Sequence, residues 1–189
     1  MASLRTFIAI ELETGLRTRL KALQETLSRS GEEVRWLDEE HFHFTLLFLG
    51  EVDERDISEV CRLVSHACAG HRPFPLSLQG VGCFPNLHRP RTIWAGIGEG
   101  SEKVIALHDA IEAPLVAGGF HRREERRFKP HLTLGRIKTD RPLERLPKAI
   151  EQQSQWQGGE CTIDQVKVMS SQLTPRGPIY SVLSTVHLR

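Results

Sequence analysis

The tetrapeptide His43-Phe44-Thr45-Leu46 returns as His131-Leu132-Thr133-Leu134. With 9 His among 189 residues, a shuffled chain would carry about 0.06 copies of His-x-Thr-Leu, so chance is a poor account of two. Imidazoles transfer protons near neutral pH, and hydroxyls donate hydrogen bonds to oxyanions. Side chains alternate faces along a strand, so His43 and Thr45 share one face and His131 and Thr133 share another, each pair about 6.6 Å apart. Phe44, Leu46, Leu132 and Leu134 point the opposite way as apolar anchors. Two such strands meeting across a cleft would bring together an acid, a base and two hydroxyl donors. That set suits in-line displacement at a phosphate diester.

The elements that position these strands are legible in the periodicity. Phe7 to Ile10 is a short apolar run ending in Glu11, which predicts a buried strand. Thr14 is expected to cap a helix with Leu16, Leu20, Leu23 and Leu27 on one face, ending before Gly31. Val34 to Leu37 leads into the first motif strand, which runs to Gly50. Asp53 is expected to cap a second helix whose stripe is Ile57, Val60, Cys61, Val64, Ala67 and Cys68. Phe74, Leu76 and Leu78 alternate as a strand. Gly80 and Gly82 predict a bulge or close backbone approach, and Thr92 to Ile97 completes a hairpin. Ser101 is expected to cap a third helix with Val104, His108, Ile111 and Leu115 on one face, shortened or kinked by Pro114. The segment 121–129 is charged and irregular. A short fourth helix follows, interrupted by Pro147; a polar connection then runs from Gln152 to Gly159. Two strands, Cys161 to Met169 and Ile179 to Leu188, end the chain. The halves repeat one order, which predicts a duplicated β-α-β unit with a pseudo-twofold axis. The expected class is α+β: a single two-lobed domain over residues 1–189, with mainly antiparallel sheets around a central cleft.

Composition narrows the function. A formal charge of +1, from 25 basic and 24 acidic residues, gives no global field for long nucleic acid, so any such contact must be local. Cys61, Cys68, Cys83 and Cys161 lack metal or redox spacing and read as buried reduced thiols. No basic-then-apolar leader and no apolar run near 18 residues is present, and a cytoplasmic, membrane-free monomer is expected.

On its motifs the chain resembles the two-histidine phosphoesterases, specifically the RNA 2′,3′-cyclic phosphodiesterases, also called 2′-5′ RNA ligases. The resemblance spans nearly the whole chain: Phe7-Ile8-Ala9-Ile10, Glu40 to Gly50, Phe128 to Arg136, and Ser171, Leu173, Gly177, Tyr180 and Leu183. Two positions depart from the pattern. Leu47, on the cleft face by alternation, replaces a frequent basic residue, and His41 stands where Asn is common. The resemblance implies a metal-independent enzyme without cofactor that opens RNA 2′,3′-cyclic phosphate ends to 2′-phosphomonoesters, with reversible 2′-5′ ligation accessible. It further implies His43 as proton donor, His131 as proton acceptor, and Thr45 and Thr133 as substrate contacts. RNA ends or small cyclic nucleotides would be its substrates.

Other readings compete. A non-catalytic RNA-end binding module would keep the same cleft. His41 and His43, if on alternate strand positions, would form a metal-ligating pair beside Asp38, Glu39 and Glu40. The basic segment Arg122 to Lys129 is either a solvated loop or an RNA-backbone contact. Arg136 points away from the cleft by alternation and is left out of the site. Phe7 and Tyr180 either stack on a base or pack in the core.

Overall fold

A computed structural model describes residues 2–123, 125–175 and 177–189. Its elements follow the hydrophobic periods. Strand β1 (Ser3–Glu11) leads into helix α1 (Thr14–Ser28), whose Leu16, Leu20, Leu23 and Leu27 are all buried. Strand β2 (Val34–Trp36) and a 3-10 turn (Glu39–His41) precede β3 (His43–Asp53), the first motif strand. Next come α2 (Ile57–Cys68) and the hairpin β4 (Phe74–Phe84) and β5 (Thr92–Ile97). Helix α3 (Ser101–Ala117) follows, then β6 (His131–Ile137), which carries the second motif, and α4 (Arg145–Gln152). Strands β7 (Gln157–Ile163), β8 (Gln165–Thr174) and β9 (Gly177–His187) close the chain.

Two antiparallel sheets result, one in the order β3-β1-β8-β9 and the other β2-β6-β5-β4-β7. The α+β class and the two related lobes are therefore as expected. The halves of the chain, however, are exchanged. Strand β4 follows α2 but joins the second sheet, and the β8-β9 hairpin returns at the end to complete the first. Helices α2 and α3 pack together behind the first sheet, and α1 and α4 behind the second. One apolar core runs through both, from Ile8 and Val168 to Leu78 and Ile93. Because each lobe is finished by the other's chain segment, neither can bury its sheet alone. Across the described residues, no helix is long and apolar enough to cross a membrane.

Several local expectations are corrected. The residues preceding α1 and α3 are Glu13 and Gly100, with no side-chain cap from Thr14 or Ser101, which are the first helical residues. Asp53 does cap, accepting from the Arg55 amide at 3.0 Å, but through a 3-10 turn that runs into α2. Pro114 does not shorten α3, which continues through Ala117. Pro147 lies in the first turn of α4, where the missing N–H would have had no intrahelical partner, so the helix is not interrupted. The α4 N-terminus is held by Glu32, whose carboxylate accepts from the amides of Glu144, Arg145 and Leu146. The final β region is three strands, not two: Gln157 to Ile163, including Gly158-Gly159, pairs with β4, and the chain changes sheets at Asp164. The Gly80 and Gly82 expectation holds in both its forms. Gly80 sits at φ +76° beside a bulge, and the Trp94 ring lies against Gly82, where a Cβ would come within 2.3 Å of it.

Candidate active site

Strands β3 and β6 adjoin where the two sheets meet, and each begins with its motif histidine. In both copies the histidine and threonine are half-buried while the alternate residues are buried: Phe44 and Leu46 in one, Leu132 and Leu134 in the other. This is the alternation expected from the motif. The imidazoles are fixed in the same manner. His131 Nδ1 lies 2.7 Å from the Lys129 carbonyl, and the His43 ring is hydrogen-bonded to the backbone of His41, again two residues upstream. A carbonyl only accepts, so the ring N–H on that side is occupied, and for His131 the free nitrogen is Nε2.

Immediately after each threonine the ladder slips by one residue. Ala9 faces Thr45 while Ile8 faces Leu47, and Trp94 faces Thr133 while Ile93 faces Gly135. Leu46 and Leu134 are thus the extra residues of two equivalent bulges, and each bulge reverses the alternation beyond it. Two expectations fail for this reason. Leu47 is not on the cleft face but buried in the core, 6% exposed, and the cleft position passes to Phe48. Arg136 is not turned away; its charge acts on both His131 and Tyr180. Phe48 and Arg136 each stand five residues after their histidine, so aligning the two copies without assuming perfect alternation pairs them. Gly135, the counterpart of Leu47, must be small: a Cβ there would lie 2.7 Å from Val34 Cγ1 and 2.9 Å from Trp36 Cε3 on β2.

The two histidines have different surroundings. Phe7 stacks on His43 with ring centroids 5.1 Å apart, and Tyr180 meets it edge-on at 5.4 Å. Phe7, Ala9 and Met169 form a small apolar cluster under this lobe, with Tyr180 packed against it. Phe7 is itself buried, so it is a wall for His43 rather than an open base platform; the open aromatic is Phe48, 58% exposed. Glu11, paired with Lys167, lies opposite His43 in the ladder. His131 meets one ring, Phe84, edge-on at 4.9 Å, and Phe84 rests on Trp94. Burial pushes the His43 imidazole down to about 4, helped by the neighbouring His41, while Glu11 opposes the shift. His131 is also lowered, by burial first and by Arg136 in addition.

His41 lies in the 3-10 turn, not on a strand with His43, and its ring stands edge-on to Tyr180 at 4.9 Å. Its nearest acidic partner is Glu40, at 3.7 Å. Among the described residues no three His, Cys, Asp or Glu side chains are placed to hold a metal ion. The four cysteines are free, and burial raises their thiols above the ordinary range, Cys68 and Cys161 to about 11.

Residues 14–174 match the model of the 2′-5′ RNA ligase superfamily. The chain is 34% identical over 184 residues to an RNA 2′,3′-cyclic phosphodiesterase of Methanothermobacter thermautotrophicus, covering 97% of this chain and 98% of that one. It is 36% identical to the protein of the same name from Thermotoga maritima, covering 95% and 93%. Among solved structures, TT0787 of Thermus thermophilus superposes with a TM-score of 0.82 at 28% identity, covering 98% of each chain. Escherichia coli LigT, in its complex with 3′-AMP, shares the fold with a TM-score of 0.77 at 20% identity over 99% of each chain.

Proposed function

The chain belongs to the 2′-5′ RNA ligase superfamily, and on that premise we propose that it hydrolyses RNA 2′,3′-cyclic phosphate ends to 2′-phosphomonoesters, residues 1–189 acting as one unit. The observation that carries this reading is the pair of His-x-Thr strands, each with its imidazole anchored to the carbonyl two residues upstream, brought together where the sheets adjoin. In-line attack needs a proton acceptor on one side of phosphorus and a donor on the other. His131 takes a proton from water as its oxygen bonds to phosphorus; the bond to O3′ breaks, and His43 delivers a proton to that oxygen. The product carries a 2′-phosphate and a free 3′ hydroxyl. Thr45 and Thr133 donate to the non-bridging oxygens, and Arg136, beside His131, supplies positive charge to them.

The charges around the two imidazoles differ. Arg136 disfavours a charged His131, as a base requires; at His43 the neighbouring His41 also disfavours the charge, while Glu11 favours it. Burial and the neighbouring His41 outweigh Glu11 and leave His43 neutral at pH 7. The bound phosphate adds the negative charge that raises it. A 5′ hydroxyl in place of water gives a 2′-5′ linkage by the same displacement. The groups required are all side chains of the chain itself, so the reaction calls for neither metal nor nucleotide cofactor. Incubation with a 2′,3′-cyclic phosphate dinucleotide in the presence of EDTA, followed by chromatography against 2′- and 3′-phosphate standards, tests the proposal. A 2′-phosphate product at an undiminished rate is expected. A 3′-phosphate product would reverse the leaving group; loss of turnover restored by a divalent ion would favour a metal at His41 and His43; and binding without turnover would leave an RNA-end binding module.

A further inference from the structure

Residues 118–130, between α3 and β6, contain no helix or strand among those described, and a stretch of that length is uncommon in a compact fold. It is nonetheless tied down at both ends. Glu112 of α3 is buried, 6% exposed, and its carboxylate meets Arg123 Nε at 3.2 Å and His121 Nε2 at 3.8 Å. Phe128 lies flat on His108, with centroids 4.1 Å apart and planes within 1°, and the Lys129 carbonyl holds His131. Between these anchors Arg122, Arg126, Arg127 and Lys129 are exposed. Over 122–129 the sequence places five cations against two acids, in a chain whose total charge is only +1. The positive charge is thus concentrated on the one segment that runs directly into the catalytic strand.

We infer that Arg122, Arg126, Arg127 and Lys129 form a track for the RNA strand upstream of the reacting end. The inference rests on the proposed activity in one respect: a 2′,3′-cyclic phosphate is a 3′ terminus, so the only strand leaving the site runs 5′-ward from that ribose. Lys129 is two residues from His131 and Arg126 five, which at most ~3.5 Å per residue keeps both within about 18 Å of it. The first few upstream phosphodiesters fall in that range. Contacts to phosphates carry no base preference, so the track favours length rather than sequence. The buried anchors hold the cations in place before RNA arrives, and among the described residues Arg123 is the cation consumed in the anchoring.

The test compares a 2′,3′-cyclic mononucleotide with an oligonucleotide of about ten residues carrying the same end. The wild-type chain is set against the triple variant Arg122→Ser, Arg126→Ser, Arg127→Ser. For wild type, kcat/KM on the oligonucleotide is expected to exceed that on the mononucleotide and to fall about 20-fold between 50 and 200 mM salt, as three released counterions on a single strand would give. The variant is expected to lose about 10-fold on the oligonucleotide, with most of the salt slope, while the mononucleotide rate is unchanged. Arg→Lys at the three positions restores the oligonucleotide rate. Equal oligonucleotide kcat/KM and salt slope in wild type and variant would overturn the track. Should neither substrate turn over, the proposed activity fails separately. Fluorescence titration with a 2′-phosphate oligonucleotide then decides the track alone, equal affinities again overturning it.

Discussion

The two motif strands are alike in every feature that sets geometry and unlike in the features that set charge. Both place a histidine and a threonine on the cleft face, both tie the imidazole to the carbonyl two residues upstream, and both slip by one residue after the threonine. Beyond the slip, β3 presents Phe48 and β6 presents Arg136. His43 sits among Phe7, Tyr180 and His41; His131 has one aromatic neighbour and a cation. Repetition of one backbone device yields two equivalent positions where the sheets adjoin. Differences in the neighbouring side chains then surround His43 with rings and set a cation beside His131, and the proposed division of proton-transfer roles rests on that contrast.

The equivalence is tested most severely at the histidines. His43→Ala and His131→Ala are each expected to lower kcat on the order of 10²-fold or more, and the double variant to be about as slow as the slower single, because the pair acts as a unit. Single-turnover rates on a cyclic dinucleotide measure this. Near-normal turnover by either folded variant would end the two-histidine mechanism.

The asymmetry beyond the bulges predicts the next largest effect. Arg136→Ala is expected to cost about 10²-fold in kcat/KM by removing charge from the phosphate, whereas Phe48→Ala costs less than about 10-fold and acts on KM. The exchange Phe48→Arg with Arg136→Phe sharpens the point. If the lobes were interchangeable it would restore activity; no rescue is expected, since the positive charge would move from beside His131 to beside His43.

The unequal histidine environments also predict a pH signature. A folded-state value of about 4 for His43 against an ordinary ~6.5 means the unfolded chain binds more protons between those values, so stability from this group is full above pH ~6.5 and is lost as pH falls toward 4. The loss is roughly 2 kcal/mol by pH 5. Urea unfolding at pH 7.5 and 5 should show it for wild type and not for His43→Asn. The kcat/KM profile, which reports the free enzyme, is expected to be a bell centred below pH ~6.5, and the kcat profile to lie at higher pH. Coincident bells would mean that the phosphate does not shift the pair.

The smallest effect is expected at the hydroxyls. Thr45→Val and Thr133→Val keep the strand shape and should each cost about 10-fold in kcat, as one hydrogen bond to a charged oxygen would. A large difference between the two would show that the lobes hold the phosphate unequally.

The elements and the motif pairing were legible in the chain before any fold was known, because both depend on local periodicity. Leucines three and four apart made α1, and alternation around His43 and His131 set which side chains share a face. The residues before α1 and α3 are Glu13 and Gly100, one position ahead of the Thr14 and Ser101 that residue preference favours, and α3 runs past Pro114 to Ala117 without the shortening expected there. Everything else waited on contacts between distant segments. Whether a strand keeps its alternation depends on its partner, and the Ile8-Ala9 and Ile93-Trp94 steps across the ladder moved Leu47 into the core and Arg136 into the cleft. Which sheet a strand joins depends on which apolar face needs cover, so β4 and the β8-β9 hairpin each cross to the other lobe. The histidine shifts likewise arise from burial among Phe7, Tyr180 and Phe84, residues far from the motifs in sequence and adjacent only after folding.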